Sequence, residues 1–377
     1  MRIAINARFL LPSKMEGFGW YSYEITKRLV ENNPQHEFYF FFDRPYDKRF
    51  IFGENVVPIQ LNPPARHPIL FIVWFELAVK SALKRYKIDV FFSPDGYLSL
   101  ASSIPQIGVI HDINFEHYPK DLPLLARKYL QYFFPKFAKK ATRIITVSNY
   151  SKADIVNSYK IEPSKVEVIW NGASSKFKLL EMEVKIQCQN RIAQGCPYFL
   201  FVGSIHPRKN VHRLIEAFAL FKSKTKSDVK LVIVGESMWN KRDFKLTVDA
   251  EIKSEIIFTG HVSIDELALI MGSALALTYV PYFEGFGIPL VEAMKCGTPI
   301  ISGDRTSLPE VAGEAALYCN PFDVVDIAEK MQMLQDSKEL QQELQLKSIE
   351  RSQAFSWDVS AHRVWEVITE VLQKNHL

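Results

Sequence analysis

Short apolar runs recur along the chain, each followed by a polar or glycine-bearing turn and then by a longer stretch with helical spacing. In the first half, Arg2–Ala7, His36–Asp43, Val56–Gln60, Asp89–Ser93, Gly108–His111, Arg143–Ser148 and Lys165–Trp170 read as strands. In the second half, Tyr198–Val202, Lys230–Val234, Ile256–Thr259, Ala274–Pro281, Pro299–Ser302 and Leu317–Asn320 do the same. Runs that are apolar at every position, such as Phe38–Phe42, suit strands buried on both faces, as in parallel sheets. Between them the spacing predicts helices from the glycines at 17 and 19 to Glu31, over Ile69–Lys84 and Leu122–Lys140, through Ala217, over Ile264–Met271 and across 325–352. Ser356 is a candidate N-cap and Trp357 a large apolar anchor for a last helix to Gln373. Repeated βα alternation predicts an α/β protein with parallel sheets.

A chain of 377 residues exceeds one ordinary domain and fits two. The stretch 173–195 is charged and irregular, which places a linker there. The expected division is 1–180, 181–355 and a terminal helix over 356–377. Hydrophobic residues make up 47% of the chain, ample for two cores. A net charge of +4 suits anionic substrates or an anionic membrane surface and is too weak to argue nucleic acid. The apolar run Pro68–Phe75 falls far short of the roughly 20 residues of a membrane span. The N-terminus reads as a strand, not a signal peptide. The four cysteines show no CxxC spacing and read as reduced thiols, so a cytoplasmic protein is expected. The Leu122–Lys140 helix mixes basic and aromatic residues. That fits either a membrane-surface face, with peripheral contact at the inner face of the plasma membrane, or a core helix with a solvated basic side.

Three places carry candidate chemistry. The first is Tyr282-Phe283-Glu284-Gly285-Phe286-Gly287-Ile288-Pro289-Leu290-Val291-Glu292, which reads as strand, glycine loop and helix. Pro289 suits a first helical turn, and Gly297 with Pro299 suits its end. A helix N-terminus behind glycines offers backbone N–H groups to a phosphate, and the two glutamates offer acceptors to sugar hydroxyls. The second is Gly203-Ser204-Ile205-His206-Pro207-Arg208-Lys209-Asn210, two adjacent cations at a strand-to-helix turn, either a solvated pair or a diphosphate site. The third is His111-Asp112 at a strand end, where the histidine either bonds a loop carbonyl or contacts a ligand. Glu16-Gly17-Phe18-Gly19 adds a further glycine turn opening a helix. Ser148 and Ser151 can cap the helix after Arg143–Ser148. The glycine spacing needed for a nicotinamide site near Asp43 is missing.

The E-G-F-G-I-P-L-V-E-A-M-K-C-G-T-P stretch, with seven residues between its glutamates, resembles the donor-site signature of retaining glycosyltransferases of family 4. The resemblance extends through G-S-I-H-P-R-K-N, the H-D pair and the N-terminal glycines, and so covers essentially the whole chain. It implies the GT-B fold: two Rossmann-like domains with a cleft between them and a C-terminal crossover helix. The first domain would bind acceptor and the second a nucleotide-diphosphate sugar. His111, Arg208, Lys209 and Glu284 would be catalytic. Gly17, Gly19, Gly203, Gly235, Val262, Phe286, Gly287, Ile288, Leu290 and Glu292 would bind donor. Relatives often carry an arginine after the second N-terminal glycine, where this chain has Trp20. No cofactor is implied, and no metal, since no Asp-x-Asp occurs. The motif variants are most like the mannosyltransferase-type branch, favouring GDP-mannose over a UDP-hexose. Partners would be the nucleotide sugar and a glycan or lipid-linked oligosaccharide acceptor, in cell-surface polysaccharide synthesis. Two rivals stand beside this: a GT-B nucleotide-sugar epimerase, and a non-catalytic nucleotide-sugar-binding partner.

Overall fold

A computed structural model describes residues 1–12, 15, 17–65, 67–236 and 249–374. Glu16 of the N-terminal glycine stretch lies outside the described residues. The chain forms two compact units, Met1–Asn171 together with Ser356–Leu377, and Gly172–Phe355.

The first unit holds β1 (Arg2–Asn6), β2 (Glu37–Phe42), β3 (Val56–Gln60), β4 (Val90–Ser93), β5 (Gln106–Val109), β6 (Arg143–Thr146) and β7 (Val166–Val168). They form one parallel sheet in the order β3-β2-β1-β4-β5-β6-β7. Alternation sorts its side chains onto two cores. Ile3, Ile5, Phe38, Phe40 and Phe42 face Tyr21, Ile25 and Leu29 of the Gly17–Asn32 helix. Ala4, Tyr39, Phe41 and Phe91 face Trp74, Phe75, Phe134 and Phe137 on the other side. The Trp357–Lys374 helix belongs to the first of these cores through Trp357, Ala361, Val364, Ile368 and Val371, a three-and-four spacing that makes one apolar stripe. Arg28 Nε donates to Asp358 at 2.5 Å and Ser360 Oγ to the Trp170 carbonyl at 2.6 Å, fixing the first turn of that helix.

The second unit holds β8 (Tyr198–Val202), β9 (Lys230–Val234), β10 (Ile256–Gly260), β11 (Ala276–Tyr279), β12 (Ile300–Gly303) and β13 (Ala316–Cys319), parallel in the order β10-β9-β8-β11-β12-β13. In each sheet the order reverses beside the first strand. The connections there leave in opposite directions and open a crevice at the carboxyl ends of the strands, the usual ligand position of such sheets.

Three expectations need correction. The first segment ends at Asn171, not at 180. The stretch 173–195 is not an irregular linker, because Met182–Ala193 is a helix of the second unit. Only Cys188 and Ala193 of that helix are buried, so it shows no apolar stripe. It is held by polar contacts, Gln189 to the Ser273 carbonyl at 2.9 Å and Arg191 to Glu266 at 2.6 Å. The helix expected over Ile69–Lys84 is interrupted: Pro68–Val73 and Lys80–Arg85 are α-helical, and Trp74–Val79 between them is a wider π-helical turn. All four cysteines are free thiols. No helix among the described residues is long and apolar enough to cross a membrane.

Candidate functional site

In the second unit the reversal falls between β8 and β11, and the two loops leaving those strands carry the charged residues. After β8 the chain makes a single 3-10 turn, Pro207–Lys209, and enters the Val211–Thr225 helix through Asn210 in a left-handed conformation, φ 61°. The Asn210 side-chain amide donates to the carbonyls of Val280 at 2.9 Å and Pro321 at 2.6 Å. Tyr282 N–H donates to the Arg208 carbonyl at 3.0 Å. These bonds tie the cationic turn to the loop after β11, so the side chains of one are set against those of the other.

Glu284 is the meeting point. Its Oε2 accepts from Arg208 Nη1 at 2.7 Å and from Lys209 Nζ at 2.7 Å. Lys209 Nζ also lies 2.6 Å from the Tyr279 hydroxyl. The glutamate side chain is 13% exposed, the lysine 10% and the arginine 22%. Burial alone would push the Glu284 carboxyl up, but Arg208 and Lys209 outweigh it and hold it below the usual carboxylate range. Below it, Thr306 Oγ1 accepts from Glu284 N–H at 3.3 Å and Ser307 Oγ donates to the Glu284 carbonyl at 2.9 Å. One carboxylate therefore draws two cations together at the switch point, side by side.

The helix Ile288–Cys296 follows, with Gly287 at its N-cap (φ 94°) and Pro289 in its first turn. Glu292 lies one turn in. Burial pushes its carboxyl up to about 8, and among the described residues no donor or cation pairs with it. A half-buried carboxyl without a donor suits a hydroxyl-bearing ligand. Phe286 and Leu290 point into the core instead, Phe286 edge-on to Phe355 with ring centres 5.8 Å apart. Gly235 has φ 142°, and a Cβ there would sit 2.0 Å from the Gly203 carbonyl oxygen, so packing of the β8 and β9 ends requires glycine. Its N–H bonds the Gly260 carbonyl at 3.0 Å, which takes that donor away from any ligand. Gly203 N–H is likewise used, by the Val234 carbonyl at 2.9 Å. Val262 is half-buried in the turn between β10 and the Ile264–Ser273 helix, and Ile288 is half-buried at its own helix start.

In the first unit, His111 stands just past β5. Its Nε2 lies 2.9 Å from the Pro94 carbonyl, so that nitrogen carries the proton and Nδ1 is left as an acceptor. Burial lowers its pKa, keeping it neutral. The rings of Tyr21 and Phe18 meet it edge-on at 4.7 and 4.8 Å. The Ser151 hydroxyl donates to the His111 carbonyl at 3.0 Å, whereas Ser148 alone is the helix cap, accepting from Ser151 N–H at 3.0 Å. The Pro94 loop is fixed next door by Asp95, which accepts from Asn6 at 2.7 Å, Ser93 at 2.8 Å and Arg8 at 2.8 Å. Gly17 and Gly19 are not a loop before the helix but its first turn, Gly17 exposed and Gly19 buried. Tyr279, Thr306 and the Arg8–Asp95 pair went unremarked in the sequence, and Ser151 was read there only as a candidate cap, because nothing local marks a residue whose partner lies across the fold.

The Glycosyltransferase Family 4 model matches residues 15–176, and the model for glycosyl transferases group 1 matches residues 184–351. The O-antigen chain mannosyltransferase B of Escherichia coli is 27% identical over 91% of this chain and 93% of that protein. The O-antigen chain mannosyltransferase RfbU of Salmonella typhimurium is 32% identical over 57% of this chain and 56% of that protein. Among solved structures, WaaG, a glycosyltransferase involved in lipopolysaccharide biosynthesis, superposes with a TM-score of 0.78 at 17% identity, covering 98% of this chain and 100% of its own. The sucrose-phosphate synthase of Thermosynechococcus elongatus gives 0.80 at 18% identity, over 99% of both chains. With two Rossmann-like sheets, a charged cluster at the second switch point and both halves matched in order, the chain has the GT-B fold and belongs to the family 4 glycosyltransferases.

Proposed function

We propose that this glycosyltransferase moves mannose from GDP-mannose to a glycan or lipid-linked acceptor, with retention of anomeric configuration and without a metal ion, in cell-surface polysaccharide synthesis. The observation that carries the reading is the Arg208–Glu284–Lys209 cluster. Two cations held side by side at the switch point are placed to stabilise the charge of a departing diphosphate. Arg208 presents a planar fork and Lys209 a point charge, so they serve different phosphate oxygens. Glu292 accepts from ribose hydroxyls and Glu284 from hydroxyls of the sugar. His111, neutral with Nδ1 as acceptor, accepts a hydrogen bond from a sugar hydroxyl. The mannosyl assignment draws support from relatives named as mannosyltransferases, and GDP follows from that sugar.

In the step itself the bond from C1 to the β-phosphate oxygen breaks and its electron pair stays on that oxygen. The acceptor hydroxyl oxygen bonds to C1 on the same face, and its proton passes to the departing phosphate. Arg208 and Lys209 hold the charge that develops. Removing either should cost on the order of 10²–10³ in turnover, as for other preorganised charge stabilisers. The test is a panel of labelled nucleotide sugars with a lipid-linked acceptor extract, in EDTA and then with magnesium or manganese. Label moving to acceptor from GDP-mannose in EDTA supports the reading. Activity that appears only with metal overturns metal independence, and conversion of donor without acceptor would make the protein an epimerase.

A further inference from the structure

Two helical segments of the first unit cover the same face of its sheet. Trp74, Phe75, Val79 and Leu83 from one, and Phe134, Phe137 and Ala138 from the other, share a single core. Phe71 and Tyr129 join the segments directly, ring centres 5.5 Å apart. Their outer faces therefore look away from the sheet together. On the Leu124–Lys140 helix the outward ladder is Leu124, Lys128, Tyr132 and Lys136, four residues apart at each step, with Leu125 and Lys139 beside it. Lys136 Nζ rests 3.5 Å from the centre of the Tyr132 ring.

On the Pro68–Arg85 stretch the outward residues are Ile69, Ile72, Leu77, Lys80 and Lys84. The step from Ile72 to Leu77 is five residues, which an α-helix would swing well off the line. The π-helical turn at Trp74–Val79 restores it and keeps Trp74, Phe75 and Val79 inward. Ile69 and Leu77 are each 65% exposed and Leu125 is 62%. Apolar residues this open, gathered on one side, mark an interaction surface.

Charge selects the partner. The Leu124–Lys140 helix has no acidic residue and carries Arg127, Lys128, Lys136, Lys139 and Lys140. Lys80, Lys84 and Arg85 lie on the neighbouring segment. Among the described residues none of these cations makes an ion pair. The one carboxylate of the neighbouring segment, Glu76, is turned to the backbone N–H groups of Leu100 and Ala101 at 2.8 and 2.7 Å and does not neutralise them. Open leucines and isoleucines among unpaired lysines fit an anionic lipid surface, with apolar side chains entering the headgroup boundary and ammonium groups meeting phosphates.

We propose that this two-helix face docks the protein on anionic bilayers. The proposal does not depend on the donor or the reaction, because binding is read without either. The full chain is sedimented with vesicles of phosphatidylglycerol mixed with phosphatidylcholine, and with phosphatidylcholine alone. Variants are Lys128→Glu with Lys136→Glu, Leu77→Ser with Leu125→Ser, and, as a charge-matched control away from the face, Lys253→Glu with Lys338→Glu. All change exposed residues, and unchanged melting confirms folding. The wild type and the control should bind the anionic vesicles and not the neutral ones, with binding weakened by raised salt. Each face variant should lose about tenfold or more in partitioning. Equal binding to both vesicle types, or an equal loss in the control, would overturn it. So would a concentration-dependent dimer abolished by the leucine pair, which would assign the face to a second copy.

Discussion

Removing the Glu284 carboxylate should separate stability, nucleotide binding and turnover. In Glu284→Ala, Arg208 Nη1 and Lys209 Nζ each lose an acceptor at 2.7 Å, and Lys209, 10% exposed, keeps the neutral Tyr279 hydroxyl at 2.6 Å. Breaking a buried ion pair from one side costs about 3–5 kcal/mol, because the remaining charge stays desolvated. For a unit of this size, Gly172–Phe355, that corresponds to a fall in Tm of roughly 6–20 °C. A diphosphate bound by the same cations restores their counter-charge. It also no longer meets a carboxylate on the order of 6 Å away, a repulsion of about 2.8 kcal/mol at an effective dielectric of about 20. Affinity for free GDP should therefore rise by roughly tenfold to a hundredfold, and GDP should raise the Tm of the variant more than that of the wild type. Turnover should fall, since the sugar loses its acceptor. The assays are calorimetric titration of GDP and UDP and melting with and without nucleotide. Unchanged melting together with weakened nucleotide binding would refute the reasoning, because it would place the diphosphate elsewhere.

Other outcomes follow from single features. Burial raises the folded-state pKa of Glu292 to about 8, above its ordinary carboxylate value, so the protonated form favours the fold. Stability from this group is present below the ordinary range and is lost as pH climbs through about 8; Glu292→Gln should remove that loss, with a Tm gain at high pH and none at low pH. If ribose hydroxyls stabilise the carboxylate, nucleotide affinity of the wild type should rise toward pH 8 while that of Glu292→Gln stays flat. Gly235→Ala places a Cβ 2.0 Å from the Gly203 carbonyl at φ 142°, and should destabilise by more than about 3 kcal/mol, read by denaturant unfolding. Trp357→Ala empties a site against Tyr21, ring centres 6.0 Å apart, and should cost about 3–5 kcal/mol in the same assay.

Most strands were legible because parallel strands buried on both faces leave apolar runs, as in Phe38–Phe42. The terminal helix was legible because its stripe is complete from Trp357 to Val371. The Met182–Ala193 helix was not, since polar contacts to Ser273 and Glu266 hold it in place of an apolar face. The π-helical turn was hidden too, because a five-residue step leaves no signature in a pattern read at three and four. At the candidate site, the charged residues stood out by type and spacing. Their pairing did not: the glutamate and the two cations lie some seventy residues apart and meet only through the β8–β11 reversal. The roles of the glycines divide similarly. Gly287 caps a helix beside the site, while Gly235 answers to a neighbouring backbone and spends its N–H within the sheet.

The central claim is retaining transfer supported by the Arg208–Glu284–Lys209 cluster, and the anomeric configuration of the product tests it most directly. GDP-α-mannose labelled at C1 is incubated with acceptor extract in EDTA, and the carbon–hydrogen coupling at C1 of the product is read by NMR, for wild type and Lys209→Ala. An α-mannoside from the wild type, with its yield cut on the order of 10²–10³ in the variant, is the expected result. A β-linked product, or near-normal yield from Lys209→Ala, would contradict the account.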